Sequence, residues 1–460
     1  MTNDSSTSRN HRISQTLRPR YPAGTMKHNF RKRIQQALAA LRQHNGSSAL
    51  VVSSNPHVTR SADQHFPYRA NSDLYYLTGC VSPDVTLILR NKATPQVILL
   101  TPVDEPKKIV WEGAAPSLTP IAKAIGASVV RSKNIKKSLR ELLYGVHCVF
   151  TQTTPNTTSN DIRQEFAKHT GETPRNTPYS FANADIIVSA QRLIKSRSEV
   201  HAIEEAGVVT GDVLHSILPL ITPGTKEREI ASLIECLYRT NGGVPSFHPI
   251  VASGPSAATL HYSAHNRNLR NGDLLLIDTG MELGCYCSDI TRTIPVGTIS
   301  KAQTTLYEAV LAAQIAAFKK IKHNSLIRDV YLAAAHEITI GLKETGVLKG
   351  SISSLMKKQA FKPYFPHGIG HSLGIDVHDV GGLYGNPEAR LLSGMVFTIE
   401  PGVYLPKPTK HLPALGIRIE DDILVEKNGC AVLTEHTFPK NLEQVRELVG
   451  QATSESSLYS

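Results

Sequence analysis

The chain has 460 residues, with 50 Lys and Arg against 39 Asp and Glu, a formal charge of +11, and 40% hydrophobic residues. Its mean hydropathy is -0.17 and its isoelectric point is near 9.3. That length allows two domains, each with its own core. No apolar run approaches the roughly 20 residues needed to cross a bilayer, and the positive charge is too thinly spread for a nucleic-acid surface, so neither membrane nor nucleic acid is expected as a partner.

Residues 1–25 are polar and carry Arg9, Arg12, Arg18 and Arg20 against Asp4. They are expected to form a disordered tail, with organellar targeting as the alternative and translation starting at Met26 as another. An amphipathic helix follows, with Phe30, Ile34, Leu38 and Leu41 at helical spacing. The runs "SALVVSS", "VTLILR", "QVILLTP", "ASVVRS" and "HCVFTQT" are β-branched and bounded by turn residues. With helical stretches such as "SLTPIAKAIG" between them they predict an α/β domain over residues 26–190. A second domain is expected over 191–450, with helices at 198–219, 226–240, 302–321 and 325–345, and a disordered tail over 451–460. Its predicted strands are "DLLLIDTG", "CYCSDITRTIPV", "PHGIGHSLG", "MVFTIEPGVYL" and "GIRIEDDILVEKNG". The six cysteines are scattered without CxxC spacing. This points to reduced thiols and a cytoplasmic location, with Cys285 and Cys287 read as packing residues.

Several acidic residues in the second region sit where apolar strands end. Asp278, Glu400 and Glu420 each follow a strand-like run, and Asp289 and His371 add a fourth carboxylate and an imidazole. A buried carboxylate needs a cation, several donors or a metal. Arg292 and Arg418 are the nearby cations, and strand alternation leaves open which way each points. A pair of divalent cations a few ångströms apart resolves the charge conflict, and oxygen-rich ligation with one imidazole favours Mn, Co or Fe. Glycines at 368 and 370 argue against a helical zinc pair formed by His367 and His371. His367 and His378 are expected to face the site, and His261 could reach it from a loop. There is no G-x-S-x-G elbow and no P-loop.

These segments together resemble the pita-bread metallopeptidases, and among them proline-specific aminopeptidase P. "LLLIDTG", "SDITRTIPV", "HGIGHSLGIDVHD", "TIEPGVY" and "GIRIEDD" match the ligand-bearing segments in order, and "VTRSADQHFPYRANSDLYYLTG" matches the amino-terminal domain. The resemblance implies an α/β amino-terminal domain followed by a pita-bread α+β catalytic domain. It also implies an aminopeptidase that releases the first residue of peptides with proline second. Two metal ions, Mn2+ by preference, would be held by Asp278, Asp289, His371, Glu400 and Glu420. Glu400 would be the acid/base, with His261, His367 and His378 on the substrate side. Arg418 would order the carboxylates, and Trp111 would help form a substrate pocket across a subunit contact in a homo-dimer or homo-tetramer. Prolidase activity on Xaa-Pro dipeptides is the nearest alternative, and a non-catalytic peptide-binding relative a more distant one. The chain departs from the pattern at "IPVGT", and at "HYSAHN", where His265 falls near His261.

Overall fold

The computed structural model describes residues 29–152, 164, 180–382 and 385–457. The expected tail over 1–25 and the alternative start at Met26 lie outside them. The chain divides into two compact units, Lys27–Leu193 and Ile194 onward.

In the first unit the helix Phe30–Arg42 is capped by Asn29, whose side chain accepts from Lys32 N–H at 3.0 Å. It buries Ile34, Ala37, Leu38 and Leu41. All five predicted runs become strands of one six-stranded sheet. Its order is Ser128–Ser132, Val97–Pro102, Thr86–Arg90, Ser48–Ser53, Cys148–Thr151, Ser180–Asn183. Ser48–Ser53 is buried along its whole length. A strand covered on both faces reads as a continuous apolar run rather than as an alternation.

The second unit has long helices at Arg197–Ser216, Glu227–Thr240, Lys301–Phe318 and Ile327–Glu344. Capping boxes fix two starts, Ser196 with Glu199 and Ser300 with Gln303. Beneath them lie short antiparallel sheets. Leu274–Thr279 pairs with Ile250–Ser253 on one side and Ile290–Pro295 on the other. Val396–Ile399 pairs with Asp421–Val425, and Gly402–Leu405 with Leu415–Arg418. No described helix is long and apolar enough to cross a membrane.

Two expectations are corrected. The "PHGIGHSLG" segment is not a regular strand, since only Ser372 makes an isolated bridge, to Phe397. It is nonetheless laced to the next strand by Glu400 N–H to Ile369 O, Thr398 N–H to His371 O and Leu373 N–H to Val396 O, at 2.9–3.0 Å. Gly370 makes that approach possible, because a Cβ there would lie 1.8 Å from the Thr398 carbonyl oxygen. At the C-terminus the helix Leu442–Ser457 runs through residues expected as tail. Leu442, Val445, Leu448, Val449 and Ala452 continue a helical stripe that is buried or packed against the core.

Gly370→Ala should therefore destabilise the protein by about 1–3 kcal/mol, the usual cost of overpacking. Gly368→Ala, whose Cβ would meet nothing within 4 Å, should stay within about 0.5 kcal/mol. Denaturant melts of both variants check the contrast.

Candidate metal centre

Strand ends deliver the carboxylates. Asp278 is the penultimate residue of Leu274–Thr279, and Asp289 directly precedes Ile290–Pro295, its antiparallel partner. Glu400 follows Val396–Ile399, and Glu420 sits in the break between Leu415–Arg418 and Asp421–Val425. Asp278, Asp289 and Glu420 are 8%, 4% and 2% exposed. With His261, His367, His371, His378, Glu400 and Arg418 they line one cavity of about 810 Å³.

The two arginines left open by alternation part company. Arg418 turns to the cavity: Nη2 donates to Asp278 Oδ2 at 2.5 Å, Nη1 to the Tyr404 hydroxyl at 2.8 Å, and Nε to Thr291 Oγ1 at 3.1 Å. Thr291 in turn donates to Glu420 Oε2 at 2.5 Å. Arg292 turns the other way, onto Asp421 Oδ1 and the carbonyl oxygens of Phe438 and Glu420. One guanidinium thus faces four carboxylates.

His371 completes the cluster, with Nε2 3.4 Å from Asp289 Oδ2 and 3.7 Å from Glu400 Oε1. Ligand atoms of Asp289, His371 and Glu420 all lie within 4.8 Å of one another. Burial, then Glu420 and Asp278, holds the Asp289 carboxyl well above the usual range. Burial, then Glu400 and Asp278, does the same for Glu420. Asp278 Oδ1 and Asp289 Oδ1 are buried and have no hydrogen-bond partner. Orphaned carboxylate oxygens beside an imidazole are the donor set that hard and borderline divalent cations take, so these residues fit a metal centre.

The histidines form a second wall. His367 Nε2 shares a hydrogen bond with the Tyr404 hydroxyl at 2.9 Å, and its Nδ1 is 2.8 Å from Gly368 O. Burial pushes its pKa down. The His378 ring lies 4.3 Å from that of His371, and burial followed by the charge of His371 lowers its pKa too. His265 is one layer back, 7% exposed and at φ +45°, stacked on the cavity-lining His248 at 5.2 Å. Trp111 belongs to the first unit, on the helix Pro106–Glu112, and is 74% exposed.

Sequence reasoning missed Tyr404, Thr291 and Asp422. Tyr404 lay inside the quoted "TIEPGVY" tract, and burial raises its pKa to about 12. Asp422 is fully buried and accepts the Asp289 N–H at 3.1 Å. Nothing local in "EDDILV" distinguishes it from its neighbours.

Without metal, the cluster strains the fold. Asp289 and Glu420 keep protons in the folded state that the unfolded chain releases near pH 4. Their contribution to stability is therefore full below that pH and is lost as pH rises through their raised folded values. At pH 7.5 metal-free Asp289→Asn should be more stable than the parent by about 1 kcal/mol or more. Added divalent cation should raise the melting temperature of the parent more than that of the variant. Calorimetry with and without chelator checks both.

Comparison with known proteins points to one family. Residues 201–427 match the model of metallopeptidase family M24, and residues 30–150 that of the aminopeptidase P N-terminal domain. The chain is 33% identical over 428 residues to the Xaa-Pro aminopeptidase of Escherichia coli (strain K12), covering 89% of this chain and 95% of that one. It is 32% identical over 438 residues to the Xaa-Pro aminopeptidase of Haemophilus influenzae, covering 93% and 99%. Among solved structures, Pseudomonas aeruginosa aminopeptidase PepP superposes with a TM-score of 0.87 at 30% identity, over 94% of this chain and 100% of that one. Proline aminopeptidase P II from Yersinia pestis gives 0.85 at 30% identity, over 92% and 99%. The chain belongs to metallopeptidase family M24, in its aminopeptidase P branch, and has that branch's N-terminal domain ahead of a pita-bread catalytic domain.

Proposed function

We propose that the chain is a two-metal aminopeptidase that hydrolyses the bond between an N-terminal residue and a proline at the second position. The observation that carries this reading is the gathering of Asp278, Asp289, Glu400, Glu420 and His371 around one cavity, in a chain that matches Xaa-Pro aminopeptidases over nearly its full length.

These five residues would hold two divalent cations; the oxygen-rich set with one imidazole suits Mn, Co or Fe, and the family resemblance favours Mn2+. Bound there, the ions supply Lewis acidity toward the scissile carbonyl and an activated water at neutral pH. The protein's own groups do the rest. Glu400, at the cavity edge and hydrogen-bonded to Thr398 at 3.3 Å, takes the proton of the attacking water. It delivers that proton to the tertiary nitrogen of proline, which cannot leave unprotonated. His367 is kept neutral by burial, and its two ring nitrogens are engaged by Gly368 O and the Tyr404 hydroxyl, which leaves His378 as the histidine that would donate to the developing oxyanion. His378 and His261 shape the substrate side of the same cavity. Arg418 fixes Asp278 and, through Thr291, Glu420.

A homo-dimer or homo-tetramer is part of the proposal. Val110 and Trp111, 83% and 74% exposed on one helix, leave an apolar face that self-association would cover, with Trp111 closing a partner's pocket. The six cysteines are scattered without CxxC spacing, a usage that supports a reducing, cytoplasmic setting.

After chelation and addition of Mn2+, the protein should release the first residue from Xaa-Pro-Xaa tripeptides. Cleavage of Xaa-Pro dipeptides alone would move the assignment to prolidase, and silence on both with no metal bound would sink it. Glu400→Gln should lower kcat by about 10²-fold or more and change KM little, as expected for loss of an acid/base group. Steady-state kinetics at saturating Mn2+ makes the separation.

A further inference from the structure

Gln314 sits in the helix Lys301–Phe318 on a buried face that runs from Gln303 at the helix start through Leu306, Tyr307, Val310, Ala313 and Ala317. It is completely buried, and its Oε1 has no hydrogen-bond partner. A leucine would fill such a place without an orphaned acceptor, so the cost of the amide must be offset by its nitrogen. The two N–H groups of Nε2 are shared among three acceptors, Ile399 O at 3.1 Å, Ile419 O at 3.3 Å and Asp421 Oδ2 at 3.0 Å. Ile399 immediately precedes Glu400, and Ile419 immediately precedes Glu420. One amide therefore joins the backbones of two segments that carry candidate metal ligands.

The far side of this junction is itself fixed. Asp421 also accepts from Arg292 at 2.9 Å, Lys440 at 2.9 Å and Thr434 at 2.9 Å. The two segments pair directly on either side of the candidate ligands, Ile399 with Asp421 and Gly402 with Arg418, and in the break between these pairs the Ile419 N–H reaches Pro401 O at 3.4 Å. The Gln314 amide adds a side-chain clamp across that break, made from outside both sheets, where Glu400 and Glu420 leave the pairing.

We propose that Gln314 is a positioning residue that sets the spacing of Glu400 and Glu420, and with it the affinity of the carboxylate cluster for divalent cations. The inference rests on the two-metal reading above. Groups that hold ligands from behind typically alter metal affinity by about 10–100-fold when lost. A residue that only filled space would change stability and leave affinity alone.

Gln314→Leu separates the two. Mn2+ affinity would be measured by competition with a fluorescent chelator, beside the melting temperature of the metal-free protein. The expected result is an affinity at least about 10-fold weaker in a metal-free protein that melts at or above the parent temperature. Gln314→Met serves as the second variant should leucine not fold. Affinity within twofold of the parent, in either folded variant, overturns the proposal. So does a loss of affinity that accompanies an equal loss of metal-free stability in both, which would assign Gln314 to packing. A parent that binds no Mn2+ would instead remove the two-metal reading, and this inference with it.

Discussion

Asp278, Asp289, Glu400 and Glu420 converge on the wall of one cavity, three of them buried, and something in the folded protein must oppose their repulsion. At an effective dielectric of about 20, two unit charges 4 Å apart cost about 4 kcal/mol. One guanidinium cannot compensate four such groups. The protein instead shares the load. Arg418 takes Asp278, Thr291 takes one oxygen of Glu420, and the Asp289 carboxyl keeps its proton unless a cation replaces it. The oxygens left without partners are the ones a divalent cation would find as ligands.

The same demand explains the texture around the site. Rigid strands bring the carboxylates to their ends, where backbone pairing stops and side chains can converge. Behind them lies a second cluster in which two cations, Arg292 and Lys440, share the carboxylate of Asp421, fully or largely buried. Asp421 is held below the usual carboxylate range by Arg292 and Lys440, although burial works against them. Adjacent acids in one stretch thus have opposite fates. Glu420 is raised and faces the cavity, whereas Asp421 is lowered and faces a cation pair. The alternation of a β-strand makes that division possible.

Much of this was legible in the residues themselves. Carboxylates that terminate apolar runs are conspicuous because the runs have no other reason to stop on a charge. The five runs of the first domain were legible for a similar reason, as Ser48–Ser53 shows. Direction was harder to read. Arg292 and Arg418 each sit in an alternating stretch, and their facing depends on register with strands far away in sequence. The glycine segment around His371 reads as a strand because its contacts are those of one, without the regular backbone. Gln314 was silent, since a glutamine on an apolar helix face shows nothing until the two carbonyls it meets are in place. The C-terminal helix was cut short by its polar end, although Val449 and Ala452 carry the stripe onward.

The pairing of Arg418 with Asp278 closes a span of 140 residues. Closing a loop that long is entropically unfavourable, and the cost is met only when the intervening helices and sheets already hold the ends together. During synthesis Asp278 emerges well before its partner and before Glu400 and Glu420. A chain that still lacks the segments carrying them cannot assemble the cluster, so the site forms late in the order of synthesis. Competence arrives with the last strands of the catalytic domain.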